Sequence, residues 1–426
     1  MNIFSKNNIA ILPTQNSSDV IVYLPFAQYA TILDSDHFSV LESLISNPSD
    51  VRIDHDLNYL VEKLKANTMR LYKTPRTIGG MRSLMLLPNN KCNFKCSYCY
   101  SAKGRTNSEI SPNILKAGLA YFLNPQRAEN ERLSISVLGG GEPLLSWDIL
   151  QPALEYALEM SGKRTQACPI SLVTNGSICT DEIVSFLVDN NISMSVSFDI
   201  LPDVQNKQRG QWQLVTDNIN RFAEAGLEVA LNTVISNENV TRMREMVEHL
   251  IVHNPLVKKV SFKTLLAKNY FKDIASRRHY YEAFISNFFE AKKLADKHDI
   301  WLTCSYMNTC ITLTDRYCHG KFVITSEGDI STCHTVGSKK DELYDNFIIG
   351  HIDESTGEVE IDEGKLSRIL SYDAYHSASC EDCPARWHCA GGCYADHFHL
   401  NQEEHDAYCE SMRLFLAHYL IYKYKL

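Results

Sequence analysis

The sequence predicts an α/β chain organised around a mostly parallel sheet, and three observations carry that expectation. Between residues 83 and 297, six short apolar runs alternate with six longer stretches of helical periodicity; such alternation requires right-handed crossovers between parallel strands. The first run, Leu84–Leu87, leads into Lys91-Cys92-Asn93-Phe94-Lys95-Cys96-Ser97-Tyr98-Cys99-Tyr100, with three cysteines at C-x3-C-x2-C spacing. Beyond residue 300 the alternation stops, and that last third holds nine of the 14 cysteines.

The totals bound the function class. A chain of 426 residues has room for about two or three domains. Its apolar share of 44% and charged share of 22% are those of an ordinary globular protein. No apolar run reaches the ~18 residues a membrane span needs, and Met1 to Leu12 lacks the sustained apolar core of a signal peptide, so a cytoplasmic location with no membrane partner is expected. A net charge of −9 argues against a nucleic-acid partner. Without an export signal, cysteines spaced two or three apart point to metal centres rather than disulfides.

Residues 1–80 are free of cysteine. Ile9–Leu12 and Val20–Phe26 read as strands, and Gln28–Leu33, His37–Ile45 and Leu57–Lys65 as helices. In element order this module resembles the small winged-helix unit that binds leader peptides in many peptide-modifying enzymes; a cap packed on the main domain is the alternative. Thr74 to Met81, with Pro75, Gly79 and Gly80, reads as a linker.

Residues 81–300 carry the alternation. The expected strands are Leu84–Leu87, Leu133–Leu138, Pro169–Val173, Ile192–Phe198, Glu228–Val234 and Lys259–Leu266. The expected helices are Asn113–Phe122, Trp147–Met160, Thr180–Asp189, Gln213–Ala225, Asn239–His253 and Arg277–Lys297. Six units are too few for the eight-stranded barrel. Polar residues gather at the C-terminal strand ends, where α/β folds bind ligands. They are Gly139-Gly140-Gly141-Glu142-Pro143 after the second strand, Thr174-Asn175-Gly176 after the third, and Ser197-Phe198-Asp199 after the fourth. Ser197 and Asp199 share a strand face by the period of two.

The cysteine triplet and these strand ends together resemble the radical S-adenosylmethionine (SAM) enzymes. The resemblance implies a partial (β/α)6 TIM barrel. It implies that Cys92, Cys96 and Cys99 hold a 4Fe–4S cluster whose fourth iron is chelated by SAM. Tyr98 falls where the family packs an aromatic residue near the adenine. Gly140, Gly141 and Glu142 match the family's Gly-Gly-Glu motif, which binds the SAM amino group. Asn175, Ser197 and Asp199 match its contacts to ribose and carboxylate. Gln205 stands where the family usually has His, and Arg209, four residues on, matches the family Arg and can clamp a carboxylate.

Residues 301–426 carry Cys318-x9-Gly328-x4-Cys333, then Cys380-x2-Cys383-x5-Cys389-x3-Cys393, then Cys409. This order resembles the SPASM domain, an auxiliary-cluster extension of radical SAM enzymes that act on peptides and proteins. It implies two further 4Fe–4S clusters. One would use Cys318, Cys333 and Cys393 with Cys310 as the fourth ligand; Cys304, otherwise a small buried residue, competes for that slot, and an open position there is the alternative. The other would use Cys380, Cys383, Cys389 and Cys409. A zinc site is the alternative that spacing alone leaves open. Cys168 and Cys179 read as small buried residues. Most of His388, His397, His399 and His405 read as surface residues. A last helix is expected from Cys409 to Leu426.

The resemblance implies an enzyme. SAM is cleaved to a 5′-deoxyadenosyl radical, with flavodoxin or ferredoxin as electron donor, and the radical takes hydrogen from a peptide or protein substrate. The expected outcome is a C–C, C–O or C–S crosslink in a ribosomally made peptide; anaerobic sulfatase maturation is the alternative. Sulfatase-maturing enzymes carry a catalytic Asp after the cysteine matching Cys333, where this chain has His334. No general base is assigned; His334, Asp329 and Tyr306 lie near in sequence. A non-catalytic iron–sulfur or zinc scaffold is the alternative of another class.

Overall fold

The computed structural model describes residues 3–14, 18–46, 55–128, 132–265 and 270–426. The N-terminal module is a three-stranded meander, β1 Ala10–Pro13, β2 Val20–Leu24 and β3 Tyr29–Leu33, followed by helices Ser35–Ser46 and His55–Ala66. Residues 29–33 are therefore a strand, not the expected helix. The chain reverses at Pro25–Gln28, with Gln28 in the left-handed region at φ 49°. Tyr-Ala-Thr-Ile-Leu then pairs with β2 from Tyr29↔Leu24 to Leu33↔Val20, which satisfies its backbone and suits its β-branched residues.

The meander buries both faces. Val22, Leu24 and Leu33 pack on Leu41, Leu57 and Leu60 of its own helices, while Leu12, Ile21, Tyr23 and Ala30 join the main core. Tyr23 also bonds through its hydroxyl to His388 Nε2 at 3.1 Å, and His388 Nδ1 meets the Thr312 carbonyl at 3.0 Å. His388 is buried. The surface assignment fails for it because it fastens the module to the cysteine-rich region.

The six expected barrel strands are present: β4 Ser83–Leu86, β5 Ser134–Val137, β6 Ile170–Thr174, β7 Ser193–Ser197, β8 Val229–Ile235 and β9 Lys259–Thr264. Leu266, the expected end of the sixth, lies outside the described residues. The alternation runs one strand further than expected. After helix Ile274–Lys297 comes β10 Trp301–Cys304, parallel to β9. On the other side of β4, β11 Phe322–Ile324 adds in parallel, followed by an antiparallel run of β12 Asp329–Ser331, β13 Ile348–Ile352 and β14 Val359–Ile361. The resulting sheet has 11 strands in the order β10-β9-β8-β7-β6-β5-β4-β11-β12-β13-β14.

Side-chain alternation sorts this sheet into two faces. Leu84, Leu86, Ile135, Leu172, Val196, Leu231 and Phe262 are fully or almost fully excluded from solvent and share one core with the helices. The opposite face is only half-buried and is polar: Ser83, Ser136, Ser171, Ser195, Ser197, Asn232, Ser261 and Lys263. A sheet that curls with serines inside leaves a wettable lumen rather than a packed interior.

The last helix begins at Gln402, not Cys409. Asn401 caps it and exchanges bonds with Glu404 in a capping box. It packs Phe415 against Phe288, Phe289 and Tyr306 at centroid distances of 5.7, 5.1 and 5.1 Å, and Glu404 pairs with buried Arg277 at 2.7 Å. Phe415→Ala opens a cavity where nothing can collapse, and a loss of about 3–5 kcal/mol is expected. Thermal unfolding of the cluster-free protein checks it; an unchanged melting temperature would show the helix is not part of the core. Among the described residues, no helix is long and apolar enough to cross a membrane.

Candidate active site

The cysteine loop leaves β4 and is tied down on three sides. Phe94 is buried and anchors the loop from within. Toward the β5 end, Asn89 donates to the Glu142 carbonyl at 2.9 Å and to Ser146 Oγ at 2.7 Å, and Glu142 N–H reaches the Lys91 carbonyl at 2.6 Å. Gly140 and Gly141 permit this approach. A Cβ on Gly140 would stand 2.0 Å from Asn90 Oδ1, and one on Gly141 1.8 Å from the Lys91 carbonyl oxygen. The glycines thus let the second loop touch the first.

Toward the β6 end, Asn175 Nδ2 donates to Asn93 Oδ1 at 2.8 Å and lies 4.0 Å from Cys92 Sγ. Toward the β7 end, Ser97 N–H donates to the Gln208 carbonyl at 2.9 Å. Arg105 closes the loop on itself, donating to the Phe94 carbonyl at 3.2 Å and approaching Cys99 Sγ at 3.5 Å. Cys92, Cys96 and Cys99 are each half-buried on this frame. Burial raises the Cys96 thiol pKa, and the Arg209 cation beside it works the other way.

Glu142 is buried under the loop. Its carboxylate accepts from Asn175 N–H at 2.6 Å, Thr174 Oγ at 2.7 Å and Leu144 N–H at 3.1 Å. Burial raises its pKa against those bonds. Asp199, wholly buried just past β7, accepts the Tyr98 hydroxyl at 2.8 and 2.7 Å and Gln208 Nε2 at 3.1 Å. Tyr98 OH in turn accepts from Arg209 at 3.0 Å. Burial is the main cause that raises the Asp199 pKa, with Arg209 opposing it. Arg209 Nε is buried and has no hydrogen-bond partner among the described residues, so this guanidinium has a donor left for a ligand. Ser197 sits half-buried on the lumen face and is not drawn into the network.

The structure therefore converges Cys92, Cys96, Cys99, Tyr98, Glu142, Asn175, Asp199 and Arg209. Of the residues that hold them, sequence reasoning marked position 205 without giving it a role and missed the rest. Gln205 is buried and bridges the Asp199 N–H and the Gly210 carbonyl, each at 2.9 Å. Asn89, Gln208 and Arg105 were unmarked, since nothing in a sequence distinguishes a positioning amide from a surface one.

Two further thiol groups stand in the cysteine-rich region. Cys333 lies within electrostatic reach of Cys318 and Cys393, and Cys389 within reach of Cys380, Cys383 and Cys409. Burial is the leading cause in both, pushing Cys393 up to about 12 and Cys409 to about 11. Thiols so placed ionise only when bound metal supplies positive charge. Cys310 is grouped differently. Its helix, Ser305–Cys310, packs on Arg386–Cys389 and the last helix, so its electrostatic neighbours are Cys304, Cys389 and Lys423 rather than the Cys318 trio. Cys168 and Cys304 are buried and Cys179 half-buried. Among the described residues, no three His, Cys, Asp or Glu side chains converge as a single metal ion would require.

Of the residues near in sequence to a possible base, Asp329 is engaged by the Tyr344 hydroxyl at 2.6 Å and His351 at 3.2 Å. Tyr306 is buried against Ser411 Oγ at 2.8 Å. His334 is half-buried, with Tyr100 edge-on at 6.1 Å and Lys321 Nζ at 3.2 Å from its Nδ1.

Residues 86–250 match the model of the Radical SAM superfamily. The chain is 22% identical over 374 residues to a cysteine-type anaerobic sulfatase-maturating enzyme of Clostridium novyi, covering 79% of this chain and 95% of that one. Its fold is similar to that of native anSMEcpe with bound AdoMet and Cp18Cys peptide, with TM-score 0.63 and 18% identity over 80% of this chain and 97% of that one. It is also similar to Streptococcus suis SuiB bound to precursor peptide SuiA, with TM-score 0.53 and 15% identity over 93% of this chain and 97% of that one.

Proposed function

We propose that this radical SAM enzyme modifies a ribosomally made peptide by joining two of its residues through a C–C, C–O or C–S bond. Cys92, Cys96 and Cys99 would hold a 4Fe–4S cluster, which together with SAM would supply the radical chemistry for removing a hydrogen atom from the peptide. The chain's own residues hold that chemistry in place. Glu142 presents a buried carboxylate for an ammonium group. Arg209 offers its free Nε–H to a carboxylate, and Asp199 keeps Tyr98 and Arg209 in position. The serine-lined lumen admits the substrate beside them.

The observation that carries the crosslink reading is His334. The sulfatase-maturing pattern wants a carboxylate there. This chain instead has an imidazole there, a different acid–base group from the carboxylate that pattern requires. Likeness to the Clostridium novyi enzyme over 79% of the chain supports the second reading, formylglycine formation.

Residues 1–80 are read as a leader-peptide module, residues 81–300 as the barrel and residues 301–426 as the auxiliary-cluster domain. Between module and cysteine-rich region lies a cleft of about 190 Å3, lined by Phe4, Ile11, Phe38, Cys383 and Trp387 among others, which supports a docked leader. In that domain the Cys318 and Cys380 sets would hold two more clusters, which supply a place for the second electron lost on bond formation. Flavodoxin or ferredoxin would supply the first, and the setting would be cytoplasmic.

Cluster-loaded protein with dithionite and SAM should release 5′-deoxyadenosine. A short peptide encoded beside the gene should then lose two hydrogens. An aldehyde on a Cys or Ser peptide would favour sulfatase maturation instead. No deoxyadenosine from fully loaded protein would reject both.

A further inference from the structure

We infer that Lys263 and Lys321, with His334 against them, form a subsite that binds a carboxylate of the peptide substrate. This rests on the peptide reading above and names the chemistry that the lumen selects. Lys263 projects from the half-buried face of β9, two residues beyond Ser261 and in register with Val234 of β8. Lys321 precedes β11, which extends the sheet beyond β4 at the other side of the barrel. Its Nζ stands 3.2 Å from His334 Nδ1. The curl of the sheet brings the two lysines within electrostatic reach of each other and of His334. Tyr100, next to the cluster ligand Cys99, touches the same imidazole. Basic groups from three separate segments thus converge beside the cysteine loop.

The groups of opposite sign that face them are thiols, Cys304 beside Lys263 and Cys333 beside Lys321. Among the described residues no carboxylate forms an ion pair with Lys263 or Lys321, whereas other lysines such as Lys163 and Lys293 each have one. Two half-buried cations within reach of each other repel and lose hydration. An anion between them removes both penalties.

The SAM carboxylate already has a different cation. Arg209 stands among Tyr98 and Asp199 at the β7 end, with Asn175 and Glu142 on the neighbouring strands. The lysines lie on β9 and beside β11, on the flank left to the substrate. The carboxylate can come from an Asp or Glu side chain or from a free C terminus.

The test uses cluster-loaded, SAM-bound full-length protein and a synthetic pool of random decapeptides, half of them C-terminally amidated. Peptides retained on immobilised protein are sequenced by mass spectrometry. Wild type should enrich acidic peptides, and the free-acid to amide ratio separates a terminal carboxylate from a side chain. The double variant Lys263→Met, Lys321→Met should lose that enrichment about tenfold, and the Lys→Arg pair should restore most of it.

Three results would overturn the subsite. Enrichment could survive in the double variant. SAM affinity could fall as far as peptide retention, which would give the lysines to the SAM carboxylate. Retention could stay constant while the auxiliary-cluster potential shifts, since Lys321 also lies near Cys333 and would then only balance cluster charge. A wild type that cleaves SAM but retains no acidic peptide sinks the subsite alone; one that cannot cleave SAM sinks the underlying reading.

Discussion

Cys96→Ala is expected to eliminate SAM cleavage and leave the rest of the molecule loaded. The three thiols of the cysteine loop have no substitutes. The loop is fixed by Asn89, Asn175 and Gln208, which keeps it from swinging to a distant donor. A cube held by two thiolates in a half-buried, water-reachable loop does not persist. Iron should fall from near twelve to about eight per chain if all three centres are 4Fe–4S, and 5′-deoxyadenosine release should fall below detection. Cys409→Ala is the contrast. It also removes about four irons, yet it leaves the cysteine loop untouched, so SAM cleavage without peptide should persist while peptide conversion stops. Iron analysis with chromatography of deoxyadenosine reads both. A Cys96→Ala protein that cleaves SAM at the wild-type rate would remove the loop from the chemistry.

The parts of the fold that were legible in the sequence are those governed by local period. All six barrel strands announced themselves as short apolar runs, and in some a residue excluded from solvent alternates with a small polar one, as in Met194-Ser195-Val196-Ser197. The meander strand Tyr29–Leu33 did not, because five residues fit a helix turn or a strand equally and only its partner β2 decides between them. Trp301–Cys304 and Phe322–Ile324 were missed for a related reason. Three or four residues carry no period, and each is a strand only because β9 or β4 offers an open edge. Chemistry-bearing residues at strand ends could be found from their type and spacing. Cys310 shows the limit, because its place depends on which helix its short helix packs against. Lys263 was visible in principle: a lysine at an inward position of Val260-Ser261-Phe262-Lys263 breaks the pattern of its strand.

Asp199→Ala is expected to have the largest effect of any change outside the cysteines. The carboxylate has no access to solvent, and three groups depend on it. Tyr98 spends its hydroxyl proton on it, Gln208 donates to it, and Arg209 has it as the anion nearest the site. Deleting it leaves two buried donors, the Tyr98 hydroxyl and Gln208 Nε2, unsatisfied and removes one of the anions that face Arg209. Breaking a buried pair in this way costs about 3–5 kcal/mol, which should appear as a lower unfolding midpoint. The effect on binding follows from position. Tyr98 lies between Cys96 and Cys99, and Ser97 is bonded to the Gln208 carbonyl, so loosening Asp199 loosens the cluster loop and the Arg209 donor together. SAM affinity of cluster-loaded protein should fall by a factor on the order of 10 to 100, the equivalent of about one or two lost charged hydrogen bonds. Tyr98→Phe separates the two contributions. It removes only the hydroxyl bridge and leaves Asp199 beside Arg209, so its loss should be several-fold smaller. If Asp199→Ala bound SAM as tightly as wild type, Asp199 would be an internal strut of the 197–209 segment, and the SAM carboxylate would have to be held elsewhere.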